Sequence, residues 1–222
     1  MAENGMKTYL FDFDGTLVDS MPVYAGVMLR ILEEQGIAYD DDIMKTITPL
    51  GYAGTAKYFR RMGMSLPEEE IIATMLRYAV DAYTHRVPAK AYVTDVLRQL
   101  KARGDDLHIL TASPHATLNP CLKRLGIADL FMNVWSCEDF GTTKGDPDIY
   151  RQAAQQIGKP VDEIWFLDDN LNAVLTAKAA GMRVCGVYDE TSAEYTARIK
   201  AACDAYIEDF SQLLDLDECK HR

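Results

Sequence analysis

Apolar and polar positions along the chain change rhythm twice. Thr8-Tyr9-Leu10-Phe11 is a short apolar, β-prone run that reads as a buried strand, ended by the polar groups and glycine of Asp12-Phe13-Asp14-Gly15-Thr16. Helical spacing follows from about Met21 to Gln35, with Pro22 suited to a first turn and Gly36 to a stop. From Asp40 to Arg86 the pattern is helix after helix. Breaks fall at Pro49-Leu50-Gly51 and from Gly63 to Pro67, and Glu68-Glu69-Glu70 favours a helix start through the dipole. No strand-like run interrupts this stretch, and Val87-Pro88 closes it.

Beyond Pro88, strands and helices alternate. A helix from about Tyr92 to Ala102 precedes the strand Leu107–Leu110, and one from about His115 to Leu125 precedes a strand over Phe131–Trp135. A helix over Asp148–Ile157 leads to the strand Ile164–Leu167, and the helix Leu171–Ala180 stops at Gly181 before the strand Arg183–Val187. An edge strand near Ala205-Tyr206-Ile207 and a short helix complete the pattern. Alternation of this kind predicts an α/β fold, a doubly wound parallel sheet with right-handed crossovers. An all-helical module is inserted after the first strand, so the core is discontinuous: residues 1–17 with 88–222, and 18–87 for the insert.

Composition adds exclusions. The 222 residues carry 23 Lys plus Arg against 34 Asp plus Glu, a net charge of −11. Such a field repels nucleic acid and anionic membranes. It repels a phosphate-bearing small molecule too, unless a local cation offsets the carboxylates. The five cysteines, Cys121, Cys137, Cys185, Cys203 and Cys219, form no C-x-x-C pair. With no signal-peptide order at the start and no long apolar run, the expectation is a cytoplasmic chain that does not enter a membrane. A monomer is the default expectation.

Ligands of doubly wound sheets bind beyond the carboxyl ends of the strands. Four such ends carry polar groups here: Asp12 and Asp14; Thr111 followed by Ser113; the loop bearing Lys144; and Asp168-Asp169. Several carboxylates converging at one sheet edge call for a hard cation such as Mg²⁺, which accepts carboxylates, waters and substrate phosphate. The same cation supplies the charge that a phosphate needs. Asp12 and Asp14 flank the point where the chain leaves its strand, so one can attack while the other stands over a leaving group. Gly15 allows close approach to substrate, and Thr16 with the following amides suits phosphate oxygens. Ser113 suits either a phosphate contact or a helix cap; Asp168 suits either the cation or a cap.

The run Asp12-Phe13-Asp14-Gly15-Thr16-Leu17-Val18-Asp19-Ser20 resembles the first signature of the haloacid dehalogenase-like (HAD) hydrolase superfamily. Leu110-Thr111 resembles its second signature, Lys144 within Lys144-Gly145-Asp146-Pro147-Asp148-Ile149-Tyr150 its third, and Leu167-Asp168-Asp169 its fourth. Order and spacing match from about residue 7 to 190. The resemblance implies a Rossmann-like core and a helical cap of the family's first type, as in its phosphatase and β-phosphoglucomutase-like branch. It implies that Asp12 is a nucleophile forming an aspartyl-phosphate. Asp14 would be the acid and base, its carbonyl also on Mg²⁺. Thr111 would hydrogen-bond the phosphoryl group, and Lys144 would keep the nucleophile ionised. Asp169, ahead of Asp168, would join Asp12 and Asp14 at the metal, with Asn172 a weaker candidate nearby.

The family's caps open and close over the site; the implied hinges lie near Leu17–Ser20 and Arg86–Ala89. Specificity would sit on a cap loop over Thr48–Gly54, with Gly51 and Tyr52 facing substrate and Lys45, Lys57, Arg60 and Arg61 available to a second anion. His115 could touch substrate, whereas His85 reads as a surface residue and His108 as an interior one. The expected activity is Mg²⁺-dependent hydrolysis of a small phosphorylated metabolite. The runner-up is a phosphosugar mutase, although Gly51-Tyr52-Ala53-Gly54 lacks that branch's Arg and Ser after a Gly. Dehalogenation is disfavoured by Asp14, and phosphonate cleavage by the want of a marked cap lysine.

Overall fold

The computed structural model describes residues 6–47 and 50–216, apart from the side chain of Lys45. Two compact units are present: the described residues up to Asp19 together with those from Pro88, and Ser20–Val87. Among the described residues no helix is long and apolar enough to cross a membrane.

The first unit is built on a six-stranded sheet. Its strands are β1 (Thr8–Phe11), β2 (Asp106–Thr111), β3 (Asn133–Ser136), β4 (Ile164–Asp168), β5 (Arg183–Val187) and β6 (Ala205–Ile207), in the order β3-β2-β1-β4-β5-β6. Every pairing is parallel. β1 and β4 are buried along their whole length. That burial is why they read as unbroken apolar runs rather than alternating ones: a parallel sheet is covered on both faces. Leu10, Leu110 and Phe166 pack with the helices α7 (Pro147–Ile157), α8 (Leu171–Ala180) and α9 (Thr196–Ala202). Phe11 meets Tyr9, Phe131 and Phe210, with ring centroids 5.8, 6.2 and 6.2 Å away.

The second unit holds α1 (Met21–Glu34), α2 (Ile43–Ile47), α3 (Gly51–Arg61) and α4 (Glu68–His85). The apolar stripes of these helices close on a core that includes Met28, Ile31, Phe59, Ile71 and Met75. Pro22 does stand in the first turn of α1, and all three acidic residues stand in the first turn of α4.

Four sequence expectations need correction. Residues 51–54 are not a loop: α3 begins at Gly51, whose φ of +61° lets the chain turn directly into the helix. Thr48 and Pro49 lie outside the described residues. The third strand starts two residues later than expected, because ladder pairing begins at Asn133 opposite His108; Phe131 instead turns into the aromatic cluster. The helix α5 (Val93–Ala102) does not include Tyr92, which precedes it at φ +66°. A left-handed tyrosine carries no sequence signal, since glycine and asparagine are the residues expected there. Finally, α9 was not anticipated, and the short C-terminal helix is a 3-10 segment, Phe210–Asp215.

Candidate active site

Four of the expected residues, Asp12, Lys144, Asp168 and Asp169, meet at the carboxyl ends of β1 and β4. Asp12 directly follows β1, and its amide donates to the Leu167 carbonyl at 2.9 Å, so the parallel ladder carries it beside Asp168. Lys144 comes from the segment between β3 and α7. Its Nζ lies 2.6 Å from Asp12 Oδ1 and 2.7 Å from Asp168 Oδ2. The lysine is held from behind: the Tyr150 hydroxyl donates to its carbonyl at 3.0 Å and to that of Ala173 at 3.3 Å. The approach Thr142-Thr143-Lys144 is held by local bonds. The Thr142 hydroxyl donates to Asp146 at 2.9 Å, and Asp146 caps α7 through the Asp148 amide at 3.0 Å.

Asp169 faces the turn after Asp12. The Thr16 hydroxyl donates to Asp169 Oδ1 at 3.0 Å. A Cβ on Gly15, whose φ is +75°, would stand 2.7 Å from both Asp169 carboxylate oxygens. Glycine is therefore required there by space as well as by backbone conformation. Asp168 is already committed: besides Lys144, it accepts the Asn170 amide at 2.7 Å. It does not cap α8. That role belongs to Asn170, whose side chain accepts from the amides of Asn172 and Ala173.

Thr111 ends β2, and its Oγ1 accepts the Ser113 amide at 3.0 Å. Ser113 has a partner that the sequence did not suggest, since its hydroxyl donates to the Asp14 carboxylate. It makes no side-chain cap on the helix α6 (His115–Leu125). His115 opens that helix and pairs with Asp139 at 2.8 Å.

The cluster is electrostatically lopsided. One carboxylate oxygen from each of Asp12, Asp168 and Asp169 lies within 4.8 Å of the others, and all three residues are buried. One ammonium faces three carboxylates. Burial, and then the two neighbouring carboxylates, push Asp12 well above the ordinary carboxylate range despite Lys144. Asp169 is pushed up to about 7, first by burial and then by Asp168. Burial alone would lower Lys144, but Asp12 and Asp168 outweigh it and hold the ammonium well above the usual lysine range. Asp12, Asp169 and Lys144 thus lean toward keeping their protons, which is what surplus negative charge in a poorly hydrated place does. The donors are all oxygens, so the set fits a hard divalent cation.

In the second unit, the Tyr52 ring packs edge-on to Tyr24, with centroids 6.1 Å apart. Arg60 donates to the Met64 carbonyl at 2.7 Å, and the Arg61 guanidinium sits 5.5 Å from the centre of the Tyr58 ring. His85 is exposed, 3.9 Å from Asp81.

Two further residues of the first unit bear on the site and were missed. Lys90 and Asp189 form a 2.9 Å ion pair, and the Lys90 ammonium also donates to the Gly15 carbonyl. Asp189 follows β5 by two residues, so applying the strand-end rule to Val187-Tyr188-Asp189 would have found it. Nothing in the sequence around Lys90 marks it.

The chain is 31% identical over 220 residues to a phosphoglycolate phosphatase of Rhodospirillum rubrum, covering 94% of this chain and 90% of the relative. It is 28% identical over 188 residues to pyrophosphatase PpaX of Bacillus velezensis, covering 84% and 85%. Among solved structures, CbbY of Rhodobacter sphaeroides in complex with phosphate superposes with a TM-score of 0.79 at 21% identity, covering 96% of this chain and 99% of that one. The family model of the haloacid dehalogenase-like hydrolases matches residues 6–181, and the chain belongs to that family.

Proposed function

We propose that the chain is a Mg²⁺-dependent phosphatase that hydrolyses a small phosphate monoester by way of an aspartyl-phosphate on Asp12. The observation that carries this reading is Asp12 itself: a buried carboxylate at the end of β1, 2.6 Å from the Lys144 ammonium and next to the acidic pair Asp168-Asp169.

Asp12, Asp169 and the Asp14 carbonyl would hold Mg²⁺, with Asp168 engaged instead by Lys144 and the Asn170 amide. Bound there, the ion supplies positive charge for the phosphate oxygens and lowers the cost of keeping the carboxylates ionised. The chain's own residues do the rest. The Asp12 carboxylate attacks phosphorus, and the bond to the leaving oxygen breaks. Asp14 gives that oxygen a proton and later takes one from the water that attacks phosphorus, as the bond between phosphorus and Asp12 breaks and phosphate leaves. The Ser113 hydroxyl, bonded to the Asp14 carboxylate, aims it. Because Thr111 Oγ1 already accepts the Ser113 amide, its own hydrogen is left to donate to a phosphoryl oxygen. Lys144 offsets the charge that develops on phosphorus.

The relatives from R. rubrum and B. velezensis are named phosphoglycolate phosphatase and pyrophosphatase PpaX. Small-metabolite esters such as phosphoglycolate or a sugar phosphate are accordingly the substrates to test first. Gly15, Thr16 and Ser113 are proposed to contact them. A phosphate-release screen over such esters with Mg²⁺ tests the reading, and it should include glucose 1-phosphate with its bisphosphate activator. Release of inorganic phosphate is expected. Conversion to glucose 6-phosphate without free phosphate would replace hydrolysis with a mutase reaction.

A further inference from the structure

Lys90 lies in none of the four signature segments, yet its ammonium is fully engaged. Nζ donates to the Gly15 carbonyl at 2.6 Å, to the Tyr188 carbonyl at 2.6 Å and to Asp189 Oδ2 at 2.9 Å. Its backbone amide donates to the Leu17 carbonyl at 3.0 Å. The Lys90 side chain is 19% exposed and that of Asp189 only 6%. Asp189 is itself fixed, accepting the Thr191 amide at 2.9 Å and the Thr191 hydroxyl at 2.5 Å. A charged pair removed this far from water has a desolvation cost, and its three donated bonds are what offset it.

The bond to Gly15 gives the pair its consequence. Gly15 belongs to the tight turn in which its own amide donates to the Val18 carbonyl and the amides of Leu17 and Val18 both donate to Phe13. Its carbonyl defines the peptide plane that leads into Thr16, since the six atoms of that unit move together. Thr16 bonds Asp169, and Asp14 precedes Gly15. Swinging that one carbonyl would carry Thr16 off Asp169 and turn the Asp14 peptide at the same time.

We infer that Lys90, anchored by Asp189, is a positioning residue that sets the Asp14-Gly15-Thr16 turn against Asp169. The inference rests on the catalytic reading of Asp12 and Asp14 given above. The two are separated by pairing a kinetic measurement with a metal-binding one. A misplacement of about 1 Å at such a turn can cost about 100-fold in rate.

The test uses the full chain as wild type, Lys90→Met and Lys90→Arg. It measures kcat and KM for p-nitrophenyl phosphate in saturating Mg²⁺, the melting temperature, and Mg²⁺ affinity by calorimetry without ester. In Lys90→Met, kcat should fall by about 10- to 100-fold while KM stays within about threefold. Mg²⁺ affinity should weaken severalfold, and Lys90→Arg should recover part of both. A Lys90→Met protein with wild-type kcat and wild-type Mg²⁺ affinity overturns the inference. So does a loss of kcat that only tracks the unfolded fraction. If the wild-type chain releases no phosphate, the catalytic reading fails, and the Mg²⁺ titration decides Lys90: weaker binding in Lys90→Met supports positioning, and unchanged binding overturns it.

Discussion

Two sets of buried polar side chains lie on the same sheet and behave in opposite ways. Asp12, Lys144, Asp168 and Asp169 gather at the carboxyl ends of β1 and β4. His108 lies inside the sheet on β2, stacked on Trp135 with ring centroids 5.9 Å apart and its Nδ1 3.0 Å from the Asn133 amide nitrogen. Both places are poorly hydrated. At His108 burial simply removes the charge: the imidazole is driven down to about 4 and stays neutral. At the strand ends burial acts on acids and a base together: Asp12 and Asp169 are pushed toward the protonated form while Lys144 keeps its charge. A buried polar group that simply discards its charge is structure. A cluster that keeps a buried ammonium among carboxylates at the strand ends is a candidate for chemistry.

The largest expected effect isolates the nucleophile. Asp12→Asn should lower phosphate release by about 10,000-fold or more, since the amide that replaces its carboxylate cannot take up the phosphoryl unit. Its melting temperature in metal-free buffer should be at or above that of the wild type, because one of three mutually repelling carboxylates is gone. Near-normal turnover would remove Asp12 from its role. Next in size is Lys144→Met. Without its ammonium the acidic cluster is uncompensated, so kcat should drop by about 1,000-fold. The metal-free fold should lose about 3 kcal/mol in a denaturant titration. A variant that unfolds as the wild type does would show that Lys144 is not neutralising the cluster.

The smallest effect is also the one that separates the two places by sign. Asp169 is raised in the folded chain, so the metal-free protein binds more protons than its unfolded form between about 4 and 7. Its contribution is therefore present at low pH and is lost as pH rises through about 7. His108 is depressed from 6.5 to about 4, so its contribution is present above 6.5 and is lost as pH falls toward 4. That loss amounts to at most about 3 kcal/mol. Denaturant titrations across this range should show Asp169→Asn removing the alkaline decline and His108→Phe removing the acidic one. His108→Phe should leave kcat within about twofold of wild type, as a neutral interior ring has no part in the chemistry. A large drop in its kcat would erase the distinction between the two places.

The distinction also explains what the sequence could and could not disclose. Asp12, Asp14, Thr111, Lys144 and Asp169 were legible because strand, polar ending and parallel topology together fix where such residues go. The α/β fold was legible for the same reason, from strand–helix alternation alone. The helix start at Gly51 was hidden, because Pro-Leu-Gly reads as a break whether or not a helix resumes at once. Ser113 bonding Asp14, and Lys90 reaching Gly15 and Asp189, join residues 75 to 99 positions apart. Such contacts follow from how finished elements meet rather than from any local pattern.

Phosphate release by the EDTA-stripped chain, titrated with Mg²⁺ on p-nitrophenyl phosphate, tests most directly whether the surplus acid at the strand ends exists to hold a cation for phosphoryl transfer. Release no faster than that of Asp12→Asn is expected before metal is added, followed by saturable recovery as Mg²⁺ rises. Full release in the stripped protein would contradict it.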